Sequence, residues 1–350
     1  MDQQHLPAAG AAAPAAWATG PTFKIACVVA ILIWGGNWPV MKIGASYMPP
    51  LWMAAARFTT ACLVSFALVA ALGRLRLPQR HEWPVVLGVG LLQMALFSAL
   101  VTVALTFVLP GRASLIAYAT SIWVVPGAAF LLKEKLTRVQ IASALCGYAG
   151  IAVVTAPALL HADERSAVGI ALLLAASLAW ALNILQIKAT PRVKLDLTLL
   201  PWQTLVASIP LLVLAPLVDG RPHFLGDAHA WAVVAFAGPL ATALTFLIVL
   251  RMTQQLPPVT VSVCMLAVPV VGLLTSRVVF GESLSWDLIA GIALLLVGLT
   301  LPLVARLSGQ APRTIRRMWR GGYATPLPRW MRSSKAGVLH PGASPAKAAS

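Results

Sequence analysis

Apolar residues run for roughly 20 positions at a time at 25–43, 51–71, 85–105, 112–132, 138–156, 168–187, 198–218, 231–250, 258–280 and 286–305. A run of that length crosses about 30 Å of hydrocarbon as a helix. Inside a bilayer the backbone must satisfy its own N–H and C=O groups, so only helices and closed barrels are open to such a chain. The unbroken apolar stretch from Ile170 to Trp180 lacks the alternation of a barrel strand. The expected fold class is therefore all-α integral membrane, with ten transmembrane helices. Composition agrees: 10% of residues are charged and 59% hydrophobic, against about 25% charged in soluble domains. The breaks near Leu109-Pro110-Gly111 and near Gln255-Leu256-Pro257-Pro258 carry the least polar sequence.

The runs are not ten independent inventions. Trp34-x2-Asn37-x4-Lys42 returns 146 residues later as Trp180-x2-Asn183-x4-Lys188. Trp83 with Trp231, Glu134-x-Leu136 with Glu282-x-Leu284 and Gly150 with Gly298 match at 148, and Trp52 with Trp202 at 150. Colinear matches whose offset drifts by loop-sized amounts indicate a duplication, with repeats at 23–157 and 158–306. Five spans is an odd number, so the second repeat begins on the opposite side of the bilayer. The expected architecture is two inverted-topology five-helix repeats, with a substrate site near the midplane between them.

A net charge of +16 raises the question of nucleic acid, and the position of the charges answers it. With the N-terminus in the cytoplasm, twenty of the 26 basic residues fall on the cytoplasmic side, as the positive-inside rule requires. Both termini are then cytoplasmic, and no nucleic-acid partner is called for. Residues 1–22 are Ala/Pro-rich without Lys or Arg and read as a disordered arm, not a signal peptide. The segment 307–350 reads as a disordered basic tail whose Arg313, Arg316, Arg317, Trp319 and Arg320 suit anionic lipids. Cys27, Cys62, Cys146 and Cys264 lie within spans, giving no disulfide or metal framework.

The segment Trp34-Gly-Gly-Asn37-Trp-Pro-Val-Met-Lys42, followed by Pro49-Pro50 and Ala54-Ala-Ala-Arg57-Phe58, resembles EamA-type members of the drug/metabolite transporter superfamily. Glu134-Lys-Leu-Thr137 and Gly281-Glu282-Ser-Leu-Ser285 resemble the signature that closes the fourth span of each repeat there. The resemblance covers about 23–305 and places Lys42, Lys188, Glu134 and Glu282 at motif positions. It implies a ten-helix carrier of the bacterial inner membrane, most often an exporter of metabolites or small toxic compounds. The repeats also differ from each other. Lys133 stands where the second has Gly281, Ser121 where it has Pro269, Pro126 has no counterpart at Leu274, and Arg57 faces the stretch Thr204 to Ser208.

Asn37 and Asn183 follow Trp34 and Trp180 by three residues, about 60° around a helix, so ring and amide share a face. Helix–helix glue and cavity lining both remain open for them. Arg57 lies about seven residues into its span, on the order of 10 Å from the end, where a charge costs roughly 2.5–3.5 kcal/mol to insert. Snorkelling, an anionic substrate group and backbone carbonyls are its possible partners. Gln93, Gln203 and Gln186 add neutral polarity inside spans. Lys42 and Lys188 end their runs and read as interfacial anchors, while Glu134 and Glu282 read as helix-end residues.

No Asp or Glu sits at membrane depth, and all six histidines fall in loops or tails. Without a paired carboxylate, HExxH or P-loop, no catalytic residue, metal or cofactor is expected. The expectation is a secondary carrier, exporting amino acids, related metabolites or toxic amphipathic compounds by alternating access. A non-transporting sensor or scaffold using the same pocket is the alternative. The expected partners are a small-molecule substrate and the lipid bilayer, and a homodimer is left open.

Overall fold

A computed structural model describes residues 21–134, 136–160, 164–193, 195–256 and 258–307. Most of the expected arm and nearly all of the basic tail lie outside the described residues. The described chain folds as ten helical rods and contains no strand. They are α1 (Pro21–Gly44), α2 (Pro50–Ala71), α3 (Trp83–Ala104), α4 (Pro110–Leu131) and α5 (Arg138–Leu160), then α6 (Glu164–Ala189), α7 (Leu197–Val218), α8 (Ala228–Thr253), α9 (Pro258–Phe280) and α10 (Trp286–Leu307). Among the described residues, eight helices, α1 to α8, are long and apolar enough to cross a membrane. The last two contribute shorter apolar stretches, Cys264–Phe280 and Trp286–Pro302.

The helices begin where the sequence allows. Proline stands in the first turn of α2, α3 and α4, where its missing N–H would have had no intrahelical partner. Asp227 caps α8 through the amides of His229 (2.8 Å) and Ala230 (3.4 Å). The weakly marked break between the third and fourth runs is a turn at Leu105 to Phe107.

Matched positions make matched contacts. Helices α2 and α7 pack antiparallel and are stitched at both ends by tryptophan. Trp52 Nε1 donates to Gly220 O (2.9 Å), and Trp202 Nε1 to Arg76 O (2.8 Å). Phe224 packs on the first, with Trp231 behind it, and Phe66 and Trp83 flank the second. Beside Trp202, Arg76 holds Glu82 through two bonds of 2.7 and 2.8 Å and, with the Gln79 amide, draws its carboxyl down to about 2.

Helices α5 and α10 pack reciprocally along small residues. A Cβ on Gly150 would lie 3.0 Å from Gly291 O, and one on Gly298 would lie 2.8 Å from Ser143 O. Ser143 Oγ donates to Gly298 O at 2.5 Å.

Both repeats also carry the same irregularity. The backbone is π-helical over Val89–Leu96 in α3 and over Phe236–Leu244 in α8. Thr242 Oγ1 and Thr245 Oγ1 follow that register, bonding the carbonyls five residues back. Each wide turn sets a glycine against the other repeat: a Cβ on Gly90 would lie 2.8 Å from Gln203 O, and one on Gly238 2.7 Å from Arg57 O. Such widened turns recur at functional sites; the first gives Val89, Gln93 and Met94 to the walls of the central spaces, and the second ends two residues before Phe246, which lines both.

Candidate functional site

Two neighbouring spaces, lined by residues of both repeats, share part of their walls. The larger, about 590 Å³, reaches the loop carrying Leu195 and Asp196, and its wall is mainly apolar, with Ile184, Ile187, Val249 and Met265. The smaller, about 70 Å³, is lined by Asn37, Met41, Arg57, Phe58 and Ser98. Trp34, Gln93, Tyr118, Trp180 and Phe246 border both. These rings form two edge-to-face groups: Trp34 with Phe246 (centroids 5.5 Å), and Trp180 with Phe97 (5.4 Å) and Tyr118 (5.2 Å). Aromatic rings therefore stand where a broad chamber and a narrower recess share their walls.

Arg57 is 8% exposed and turned into the protein, so it does not snorkel. Its Nε donates to Thr242 Oγ1 (2.8 Å), Nη1 meets Met41 Sδ (3.2 Å), and Phe58 covers the guanidinium at 5.3 Å. Among the described residues no carboxylate is within ion-pair distance of it. Asn37 is 3% exposed and its Oδ1 is buried without a donor.

The sequence candidates separate in space. Trp34, Asn37, Arg57, Gln93, Trp180 and Gln203 all line one space or the other. Asn183 lies outside both linings and donates to Gln93 Oε1 at 2.6 Å, joining α6 to α3. Gln186 likewise bonds Pro84 O (2.5 Å). Sequence reasoning missed Tyr118, Phe246, Thr242 and Asp196. The first three are lone polar or aromatic residues inside apolar runs, the signal that picked out Gln93, but no repeated motif marks them.

The motif residues occupy opposite ends of α4. At its N-terminus Glu282 accepts from the amides of Gly111 (2.9 Å) and Arg112 (3.0 Å) and from Ser276 Oγ, and Arg112 pairs with Asp287 (2.8 Å). A carboxylate there meets free N–H groups and the positive end of the helix dipole. Nearby, Asp219 Oδ2 accepts from Leu51 N (2.7 Å), and Lys42 Nζ donates to Leu105 O and, at 3.5 Å, to Val108 O. Beyond the C-terminus of α4, Glu134 pairs with Lys188 at 2.6 Å, both about a third exposed. The two lysines read as anchors are thus bonded to protein.

Comparison with known proteins agrees with this organisation. The model of the "EamA-like transporter family" matches twice, over residues 23–156 and 167–304. A Salmonella typhimurium protein named "Probable amino-acid metabolite efflux pump" is 29% identical over 78% of this chain and 91% of its own. The Escherichia coli protein of the same name is 27% identical over 79% and 92%. "Uncharacterized transporter YvbV" of Bacillus subtilis is 25% identical over 80% and 92%. A crystal structure superposes with a TM-score of 0.57 at 23% identity, covering 81% of this chain and 97% of that one, a likeness of fold alone. The chain is a multi-pass membrane protein that belongs to the EamA-like transporter family of the drug/metabolite transporter superfamily, with two copies of the family domain.

Proposed function

We propose that the protein is a secondary carrier of the bacterial inner membrane. It exports small metabolites, amino acids or related compounds among them, or toxic amphipathic compounds, through the cavity between two inverted five-helix repeats. All ten rods cross the bilayer in this reading, and both termini are cytoplasmic. The reciprocal α5–α10 contacts support the inversion, because Gly150 meets Gly291 O and Gly298 meets Ser143 O, each position joined to the partner of its own equivalent; the paired tryptophan stitches and π-helical turns join like elements of the two repeats. The names of the Salmonella and Escherichia coli relatives support the direction and the class of cargo.

One observation carries alternating access. Equivalent motif residues do different things at the two ends, Glu282 clamping a helix N-terminus of the other repeat while Glu134 merely pairs with Lys188. The chamber reaches the Glu134 end, the cytoplasmic one by the charge pattern, so this conformation faces inward. Exchanging the two arrangements closes that end. Glu134 then takes the N-terminal amides of α9 as Glu282 takes those of α4, and Lys188 turns to the last carbonyls of α8 as Lys42 turns to those of α3.

The test is efflux of a labelled amino-acid panel from proteoliposomes holding the purified protein. Saturable, counterflow-competent flux is expected. Bound substrate without flux would point to the sensor reading instead.

A further inference from the structure

We propose that the preferred cargo is a monoanion, one acidic head on an apolar body, seated head-first at Arg57, and that its export moves charge and is driven by the membrane potential. The inference rests on the carrier reading above and names the charge of the cargo and the force that moves it.

Charge around the two spaces is lopsided. Among the described residues, Arg57 is the only ionised side chain lining the recess, and Asp196 the only one lining the chamber. Asp196 is already engaged at the mouth, where it accepts from Leu197 N (2.6 Å) and Thr198 Oγ1 (3.3 Å) and lies within electrostatic reach of Arg76. Arg57 has no such balance. Thr242 Oγ1 and Met41 Sδ, both neutral, take two of its donors, and a guanidinium carries five N–H groups. A buried cation without a counter-ion is strongly unfavourable, and its planar fork matches an anionic head. A monoanion neutralises the recess when it binds. A neutral molecule leaves the charge uncompensated, and a zwitterion brings a second positive charge to a lining that holds no carboxylate to receive it.

Size and wall chemistry give the rest of the molecule. The recess holds about 70 Å³, and one water takes roughly 10–15 Å³ by such a measure, which leaves room for the head and little more. The body lies against Trp34, Trp180 and Phe246, whose rings line both spaces, and in the 590 Å³ chamber with its mainly apolar wall.

The same pattern bears on energy. Exchange for a proton calls for a free carboxylate along the route, and the described lining offers only Asp196, held at the mouth. A monoanion needs no such partner. Arg57 stays in the protein, so one cycle carries one negative charge outward, which is downhill across an inside-negative membrane. About 59 mV sustains a tenfold gradient of a singly charged solute.

The experiment is efflux from proteoliposomes holding the full-length protein, with the potential set by a potassium gradient and valinomycin, equal pH on both sides, and protein-free vesicles as the baseline. The probes are benzenesulfonate, which stays charged and cannot leak as a neutral acid, 4-methylpentanoate, and L-leucine, which is 4-methylpentanoate with an ammonium added. An inside-negative potential is expected to speed efflux of both anions and to set their final gradient. L-leucine is expected to move about tenfold more slowly than 4-methylpentanoate and without response to the potential. Arg57→Gln should erase the preference for 4-methylpentanoate over L-leucine, and Arg57→Lys, which keeps the charge, should retain it. The wild-type response needs no variant, so the test stands if Arg57→Gln does not fold. L-leucine moving as fast as 4-methylpentanoate, anion efflux that ignores the potential, or a preference that survives Arg57→Gln would overturn the proposal and leave the carrier reading in place. Failure of both anions to bind or cross would overturn it as well. Anions that bind through Arg57 in nanodiscs while no compound crosses would uphold the site and remove the carrier reading, and the driving force with it.

Discussion

Glu282 and Glu134 are the same residue of the same motif, yet they experience different surroundings. Glu282 is 5% exposed, bound by two backbone amides and a hydroxyl. Glu134 meets one lysine, both side chains about a third exposed. A charge-assisted bond to a buried amide is worth about 1.5–3 kcal/mol, whereas an exposed ion pair is worth about 0–1 kcal/mol. In the proposed carrier, this difference makes the Glu282 end the locked one and leaves the Glu134 end held only lightly. A duplicated scaffold can therefore store its conformational bias in a single carboxylate's partners.

The largest expected effect comes from unlocking the closed end. Glu282→Gln removes the charge from the clamp and should shift the balance toward opening there by about tenfold or more, read as faster maleimide labelling of a cysteine at Ala113, which is fully buried in this conformation. Unchanged labelling would deny the clamp its role. Gly111→Ala should act in the same direction by about 1–3 kcal/mol, because its Cβ would stand 2.5 Å from Glu282 Oε2 and 2.6 Å from Leu273 Cδ1. Combined with Glu282→Gln it should add little, since both act on one contact.

Breaking the comparison from the other side gives a smaller, opposite signature. Glu134→Gln should lower the thermal stability of this conformation by less than about 1 kcal/mol, yet slow flux by about tenfold because the other end can no longer close. Equal losses of stability and flux would make the pair merely structural. The smallest effect is at Lys133, whose φ of 53° matches the 66° of Gly281. A side chain in the left-handed region costs about 1–2 kcal/mol, so Lys133→Gly should raise the unfolding free energy by about 1 kcal/mol, measurable by thermal unfolding in detergent.

The helices were legible because a 20-residue apolar run has few alternatives in a bilayer; the weakly marked third-to-fourth break proved a turn at Leu105 to Phe107. The Lys133/Gly281 mismatch hid a shared backbone conformation, since the chain keeps the turn and accepts its strain. Half of the candidate site was legible as well. Trp34, Asn37 and Arg57 stood out as polar or aromatic interruptions, but Asn37 and Asn183 share a motif without sharing a fate. Periodicity gives a helical face and cannot say which neighbour covers it. Tyr118 and Phe246 reach the shared walls through packing between distant helices, which no local pattern encodes. The π-helical turns leave no sequence trace beyond Pro239 in the second.

Anticorrelated motion of the two ends is the central claim, and spin-label distances test it most directly. In a background lacking the four native cysteines, one label pair at Leu109 and Trp286 reports the Glu282 end, and another at Arg192 and Thr253 reports the Glu134 end. With a transported substrate, the first distance is expected to lengthen in the same fraction of molecules in which the second shortens. Distances that change together, or a second pair that stays fixed while substrate crosses, would contradict the account.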